Sequence, residues 1–467
     1  SDVCSSDLPT GTALRPPHPS LAEATWTWAR IALLSFGGPA GQIAVMHRIL
    51  VEEKRWIGDG RFLHALNFCM LLPGPEAQQL ATYVGWLLHG TRGGLIAGLL
   101  FVLPGVVAIM ALSWLYVLYG DVGPVEALFF GLKAAVLAVV VEAVLRIGRR
   151  ALKTRFLVGL AAASFVAIFA FNVPFPLLVA AAALVGWLAS RLAPSLIPKA
   201  AVQNAHDDSH YVIDGLLARG EATHTRPSLP RACATAGLLL VLWFTPVLLA
   251  TLLLGKDHVL AQEGRFFSQA AVVTFGGAYA VLAYVAQRAV EDFAWLTPGE
   301  MADGLALAET TPGPLVMVLQ FVGFLAAFRF PGGLDPWLAA VLGAAMTTWV
   351  IFLPSFLFIF VGAPYVEALR RNAALHAALS SITAAVVGVI LNLSVWFAIH
   401  TIFRRTVVWE AGPLRIDAPV WSTLEPGALV LAAAAVIATV RFHLGIAWVL
   451  VGSAVLGTAY WALRYGL

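Results

Sequence analysis

From residue 24 to residue 464 the chain alternates between apolar runs of roughly 20 residues and short breaks rich in Gly, Pro or charge. A helical run of that length spans the hydrocarbon core of a bilayer. The pattern predicts segments near 24–50, 62–88, 93–118, 123–147, 154–172 and 174–192, then 231–254, 264–288, 300–328, 334–360, 366–400, 425–441 and 443–464. The expected fold class is an all-α polytopic membrane protein with about thirteen transmembrane helices. Residues 193–230 form the only extended polar stretch, and its one apolar run, YVIDGLLA, is too short to cross. The expected organisation is a tail (1–23), a first transmembrane repeat (24–192), a polar linker (193–230) and a second repeat with one extra span (231–467).

Composition agrees with the pattern. Of 467 residues, 60% are hydrophobic and 12% charged, about half the charged fraction of a soluble domain. The net charge of +3 is spread between apolar runs, which gives no surface for nucleic acid. Cys4, Cys69 and Cys233 make no paired spacing and no metal framework. "SDVCSSDL" at residues 1–8 resembles a translated sequencing adaptor, so the native start is expected to be missing; no cleavable signal peptide is expected.

The first run has a double. Phe36-Gly37-Gly38 matches Phe275-Gly276-Gly277, Trp56 matches Trp295, and Pro73-Gly74-Pro75 matches Pro312-Gly313-Pro314, all at an offset of 239. Farther on, Phe101–Gly105 aligns with Ile351–Ser355 at an offset of 250. Three unusual elements at one offset define two repeats. The matched segments are the first and eighth, an odd separation, so the repeats are expected to be inverted, unless a broken segment re-enters instead of crossing. Lys and Arg after the fourth and sixth segments place the N-terminus and linker in the cytoplasm of a bacterial inner-membrane protein. Arg48, Lys54, Arg55 and Arg61 object to that orientation, because they follow the first segment.

Each repeat carries Gly and Pro where a continuous helix would cross. An unpaired backbone group in hydrocarbon costs several kcal/mol, so a broken helix belongs where it faces protein or a wet cavity. Its restarted half offers free N–H groups and about half a positive charge, an anion site. Gly37, Gly38 and Pro39, Pro73, Gly74 and Pro75, Gly276 and Gly277, and Pro312, Gly313 and Pro314 make four such breaks. If all four restarted ends converge, their dipoles sum to about +2 charges, a complement for a small dianion. Packing kinks are the alternative.

These same residues resemble the chromate ion transporter family in its long two-repeat form. FGGP, PGPEAQQ and the second FGG…PGP pair carry the likeness, which extends over nearly the whole chain from residue 24. The resemblance implies export of chromate, with sulfate as a competing tetrahedral dianion. Ala278 replaces the proline of the first FGGP and Leu315 stands where Glu76 stands, so the halves are not expected to contribute equally.

Other candidates sit near the breaks. Glu76 follows the first Pro-Gly-Pro inside the membrane, where a carboxylate is costly; it carries a coupling proton or caps the restarted helix. Gln42, Gln78, Gln79, Tyr279, Thr310, Thr311 and Gln320 offer neutral hydrogen bonds to a substrate or to broken backbone. Lys133, deep in the fourth segment, either serves the anion or pairs with Glu126. HDDSH at 206–210 lacks zinc spacing and reads as solvated linker. No cofactor, metal or hydrolase motif is expected, and a homodimer is left open. The expected function is a secondary transporter of a small oxyanion, most directly chromate efflux. Inward sulfate transport and a membrane enzyme acting on a lipid headgroup phosphate are the alternatives.

Overall fold

A computed structural model describes residues 17–36, 38–196, 211–275, 277–366 and 372–465. The helices run α1 (Leu21–Leu34), α2 (Gly38–His47), α3 (Asp59–Cys69), α4 (Glu76–Tyr119), α5 (Gly123–Ala151), α6 (Arg155–Phe171), α7 (Phe175–Leu192) and α8 (Val212–Ala218). Then follow α9 (Leu229–Leu254), α10 (Val259–Val273), α11 (Ala278–Gln287), α12 (Pro298–Thr310), α13 (Val318–Arg329), α14 (Pro336–Gly362), α15 (Ala373–Ile402), α16 (Pro426–Val440) and α17 (Ile446–Tyr465). Thr406–Ala411 and Leu414–Pro419 pair as an antiparallel ribbon, β1 and β2, between α15 and α16.

Four of the thirteen apolar segments turn back instead of crossing. The first is α1 plus α2: Lys54, just past α2, pairs at 2.8 Å with Glu23 in the first turn of α1. The second is α3 plus the first arm of α4. Both of its outer ends meet the linker, Arg61 through Asp214 at 2.5 Å and Trp86 through the His224 ring. The chain then reverses at His89 and Gly90, whose backbone leaves the helical region, and Gly85 packs on Gly93. Residues 76–88 and 91–119 are therefore two antiparallel arms rather than one helix.

The second repeat builds the same pair of hairpins. Arg329, ending α13, donates to the Trp295 carbonyl at 2.9 Å and pairs with Glu300 at the start of α12. Gly332, just beyond α13, packs on the His258 ring that caps α10. The repeat reaches single residues. A π turn follows α2 (Arg48–Glu53) and another follows α11 (Arg288–Asp292). Arg55 and Ala294 both take positive φ, 51° and 49°, and Trp56 and Trp295 are each 2% exposed.

Among the described residues, seven helices are long and apolar enough to cross a membrane, α4 among them by its second arm. The shorter α6 and α16 lie alongside them. At 1.5 Å per residue, the 30 residues of α15 extend about 45 Å. Near one end of α15, Ala377 and Ser381 pack on Gly186 of α7, which leads into the linker. Its other end leads into the β ribbon, where Gln287 also meets Asn172. The hairpins of the first repeat thus open at the linker end, through the α8 contacts to Trp56 and Arg61. Those of the second open at the ribbon end. Arg48, Lys54, Arg55 and Arg61 consequently lie with the linker. The objection they raised assumed that the first segment crosses.

Extended apolar faces remain on the outside, with Trp26, Leu33, Leu99, Leu103, Leu252 and Leu253 all more than half exposed. A soluble protein would bury such faces, whereas lipid is as apolar as the side chains.

Candidate functional site

The tips of the four hairpins meet, and each repeat holds the other. Gly74 N–H donates to the Thr274 carbonyl at 2.8 Å, and Gly313 N–H donates to the Ser35 carbonyl at 2.9 Å. Ser35 and Thr274 are equivalent at the offset of 239, as are Gly74 and Gly313. Each hydroxyl turns back onto its own helix, Ser35 to Ile31 and Thr274 to Ala270, which closes the incoming helix before the break. These reciprocal bonds pair backbone groups that would otherwise stand open in an apolar environment.

Glycine is required at the crossing points. Gly74 and Gly313 have φ of +114° and +105°. A Cβ on Gly313 would lie 2.9 Å from Gly105 Cα; one on Gly74 would lie 3.3 Å from Ser355 Oγ. Gly105 and Ser355 are themselves repeat equivalents. Gly38 starts α2 at φ +68° with nothing within 4 Å of where its Cβ would stand, so it borders open space. Pro39 lies in the first turn of α2, and Pro75 caps α4 at φ −72°. Pro73 and Pro312 stand just before the two crossing glycines, and Pro314 caps the short turn Leu315–Met317. Gly37 and Gly276 lie outside the described residues, as does His206–His210.

The expected dipole sum needs correction. Each tip brings in a helix C-terminus (Leu34, Cys69, Val273 or Thr310) beside the restarted N-terminus. Four half-charges of each sign therefore meet, and +2 is not the net field. What matters is which ends face the ligand.

The amide and hydroxyl candidates brace the breaks. Gln42 Nε2 donates to the Gly313 carbonyl, Gln79 Nε2 to Pro73 at 2.7 Å, Gln78 Nε2 to Phe352 at 3.4 Å and Gln320 Nε2 to Val106 at 3.0 Å. Thr310 and Thr311 donate to Leu307 and Ala308. Their donors are engaged with main-chain carbonyls, which is what a helix interrupted in hydrocarbon needs.

Three charged placements are new. The Glu76 carboxylate lies over Gly277, with both oxygens 3.3–3.4 Å from where a Cβ would stand, so a side chain of one repeat covers the break of the other. Tyr279 O–H donates at 2.8 Å to Glu309, which is 4% exposed and went unnoticed in the sequence because it closes an apolar helix three residues before Pro312. The charges acting on these carboxylates come from the last turns of α5, Arg150 on Glu76 and the Glu142–Arg146 pair on Glu309. Lys133 does not join the tips. Its Nζ pairs with Asp303 of α12 at 3.3 Å, and Tyr116 O–H donates to the same carboxylate oxygen at 2.9 Å. Asp303 replaces Glu126 as its partner, across the repeat boundary. Among the described residues, no group of three His, Cys, Asp or Glu side chains is placed to hold a metal ion.

Broken helices that meet in pairs from two repeats, inside a bundle of membrane-length helices, define a polytopic membrane protein of the transporter type. The chain belongs to the chromate transporter family, whose model matches residues 22–187 and again 261–458, leaving out α9. It is 34% identical to a chromate transport protein of Pseudomonas aeruginosa, over 80% of each chain. A probable chromate transport protein of Synechococcus elongatus is 31% identical over 80% of this chain and 84% of its own. A chromate transport protein of Cupriavidus metallidurans is 28% identical over 85% and 86%. No solved structure matches the chain.

Proposed function

We propose that the protein carries chromate out of the cytoplasm across a bacterial plasma membrane, by a secondary mechanism, with the dianion bound where the four tips meet. The observation carrying this reading is the reciprocal pair of bonds from Gly74 and Gly313, which joins the four broken helices in two pairs across the repeats. The names of the relatives supply the substrate. We read the repeats as inverted. Five crossings separate them (the second arm of α4, α5, α6, α7 and α9), and their hairpins open from opposite ends.

The linker end is read as cytoplasmic, since Arg48, Lys54, Arg55 and Arg61 lie there with the linker's own Arg219 and Arg226. Approach from that side is favoured by Arg146 and Arg150, whose repeat equivalents at the offset of 250 are Trp396 and His400, neither of them an arginine or lysine. The membrane potential then suffices as a driving force. One charge moved through 100 mV is worth about 2.3 kcal/mol, so a dianion gains about 4.6, roughly a thousandfold gradient.

Two measurements test this reading. Inverted membrane vesicles containing the protein should accumulate chromate, sulfate should compete, and dissipating the potential should abolish uptake. Uptake equal to that of vesicles lacking the protein would refute the assignment. Reporter fusions should place Gly220 in the cytoplasm and the C-terminus outside. Finding both on one side would overturn the inverted arrangement.

A further inference from the structure

Two carboxylates stand at the meeting of the tips, and their surroundings differ. Glu76 is the first residue of a restarted helix, where the macrodipole favours negative charge. Glu309 is in the last turn of an incoming helix, where the macrodipole opposes it. It is 4% exposed, receives one hydrogen bond, from Tyr279 on α11, and its Oε2 is buried without a partner. The remaining charged groups acting on it are Glu142 and Arg146 on α5, which form their own ion pair. A carboxylate so placed has little to hold its charge, and a dianion arriving at the tips adds repulsion.

We propose that Glu309 is the proton-binding site of the transporter, taking up one proton on Oε2 as the anion binds and releasing it when the anion leaves. This rests on the reading of the tips as an oxyanion site. The proton comes from solution at the linker end, adds to the carboxylate, and departs as the carboxylate re-forms at the ribbon end. No other bond changes. One proton with one dianion moves a single net negative charge, so in this coupled step 100 mV supplies about 2.3 kcal/mol in place of about 4.6 for an uncoupled dianion. The Tyr279 hydroxyl donates to Oε1 throughout and leaves Oε2 as the atom that gains and loses the proton. Binding and proton uptake then stabilise each other, so anion affinity must fall with rising pH once Glu309 is ionised in the empty protein.

The experiment measures chromate affinity of the purified full-length protein from neutral to alkaline pH, where chromate itself is the dianion. Wild type should lose up to about tenfold in affinity per pH unit on the alkaline limb, the slope for one linked proton. Glu309→Gln copies the neutral acid, so it should bind as tightly as wild type at neutral pH and hold that affinity as pH rises. Glu76→Gln should keep the wild-type slope. A pH-independent wild type, or a slope surviving in Glu309→Gln, overturns the proposal. A slope abolished by Glu76→Gln alone transfers the proton to Glu76 and equally overturns it. Absence of chromate binding by wild type at every pH would instead count against the oxyanion site itself. Thermal unfolding of each variant separates loss of binding from loss of fold.

Discussion

Gly313→Ala should lower chromate flux in vesicles by at least tenfold with the protein still inserted, and should do more harm than Gly74→Ala. Both glycines sit at positive φ, where a side chain costs about 1–3 kcal/mol. The difference lies in what the new methyl group meets. On Gly313 it stands 2.9 Å from the Cα of Gly105, a backbone atom of the second arm of α4 that cannot rotate away. Relief requires the tip to withdraw, which stretches the 2.9 Å bond from Gly313 N–H to the Ser35 carbonyl and displaces the carbonyl that accepts from Gln42. On Gly74 it meets the Gln79 amide at 2.9 Å and the Ser355 hydroxyl at 3.3 Å, the ends of side chains that can shift. Flux in both variants, normalised to protein in the membrane, tests the order. Near-normal flux in Gly313→Ala would mean that the reciprocal tip bonds do not set the site.

How much of this was legible in the sequence depends on the kind of information each feature needs. The repeat was legible because Phe-Gly-Gly, Trp and Pro-Gly-Pro recur at one spacing, and the structure carries it down to the φ of Arg55 and Ala294. The breaks were legible because Gly and Pro there oppose a helix locally. Their direction was not. Hydropathy measures apolar length, and α1 plus α2 together are as long as one crossing. Only the pairing of Glu23 with Lys54, and of Trp56 and Arg61 with the linker, shows that the chain returns.

The same limit governs the candidate site. Gln42 reads as a ligand group from its place beside Gly-Gly-Pro, yet its donor goes to Gly313, 271 residues away. Side-chain partners at such separations follow from how the repeats cross, which no local pattern encodes. Glu309 was passed over for a related reason: nothing near it in sequence marks it, and its significance arises from Tyr279 in a neighbouring half-helix.

The pairing of Lys133 with Asp303 gives the second large effect. Lys133→Gln should leave the Asp303 carboxyl 3% exposed and held only by Tyr116. Removing one partner of a buried pair costs about 3–5 kcal/mol, because the remaining charge is uncompensated. The variant should therefore unfold at lower temperature, reach the membrane in smaller amounts, and transport less. Asp303→Asn should be milder, since Lys133 is 29% exposed and keeps access to polar surroundings. Adding Asp303→Asn to Lys133→Gln removes the orphaned charge, and Tyr116 can still donate to the asparagine oxygen. Stability and flux should both recover in the double variant, to within a fewfold of wild type. Glu126→Gln, the neighbour that sequence spacing suggested, should rescue neither. If the double variant regains its stability but not its flux, Lys133 acts on the anion directly and the pair with Asp303 is one state of a moving charge. Because the pair joins α5 of the first repeat to α12 of the second, that outcome would place charge transfer at the seam between repeats.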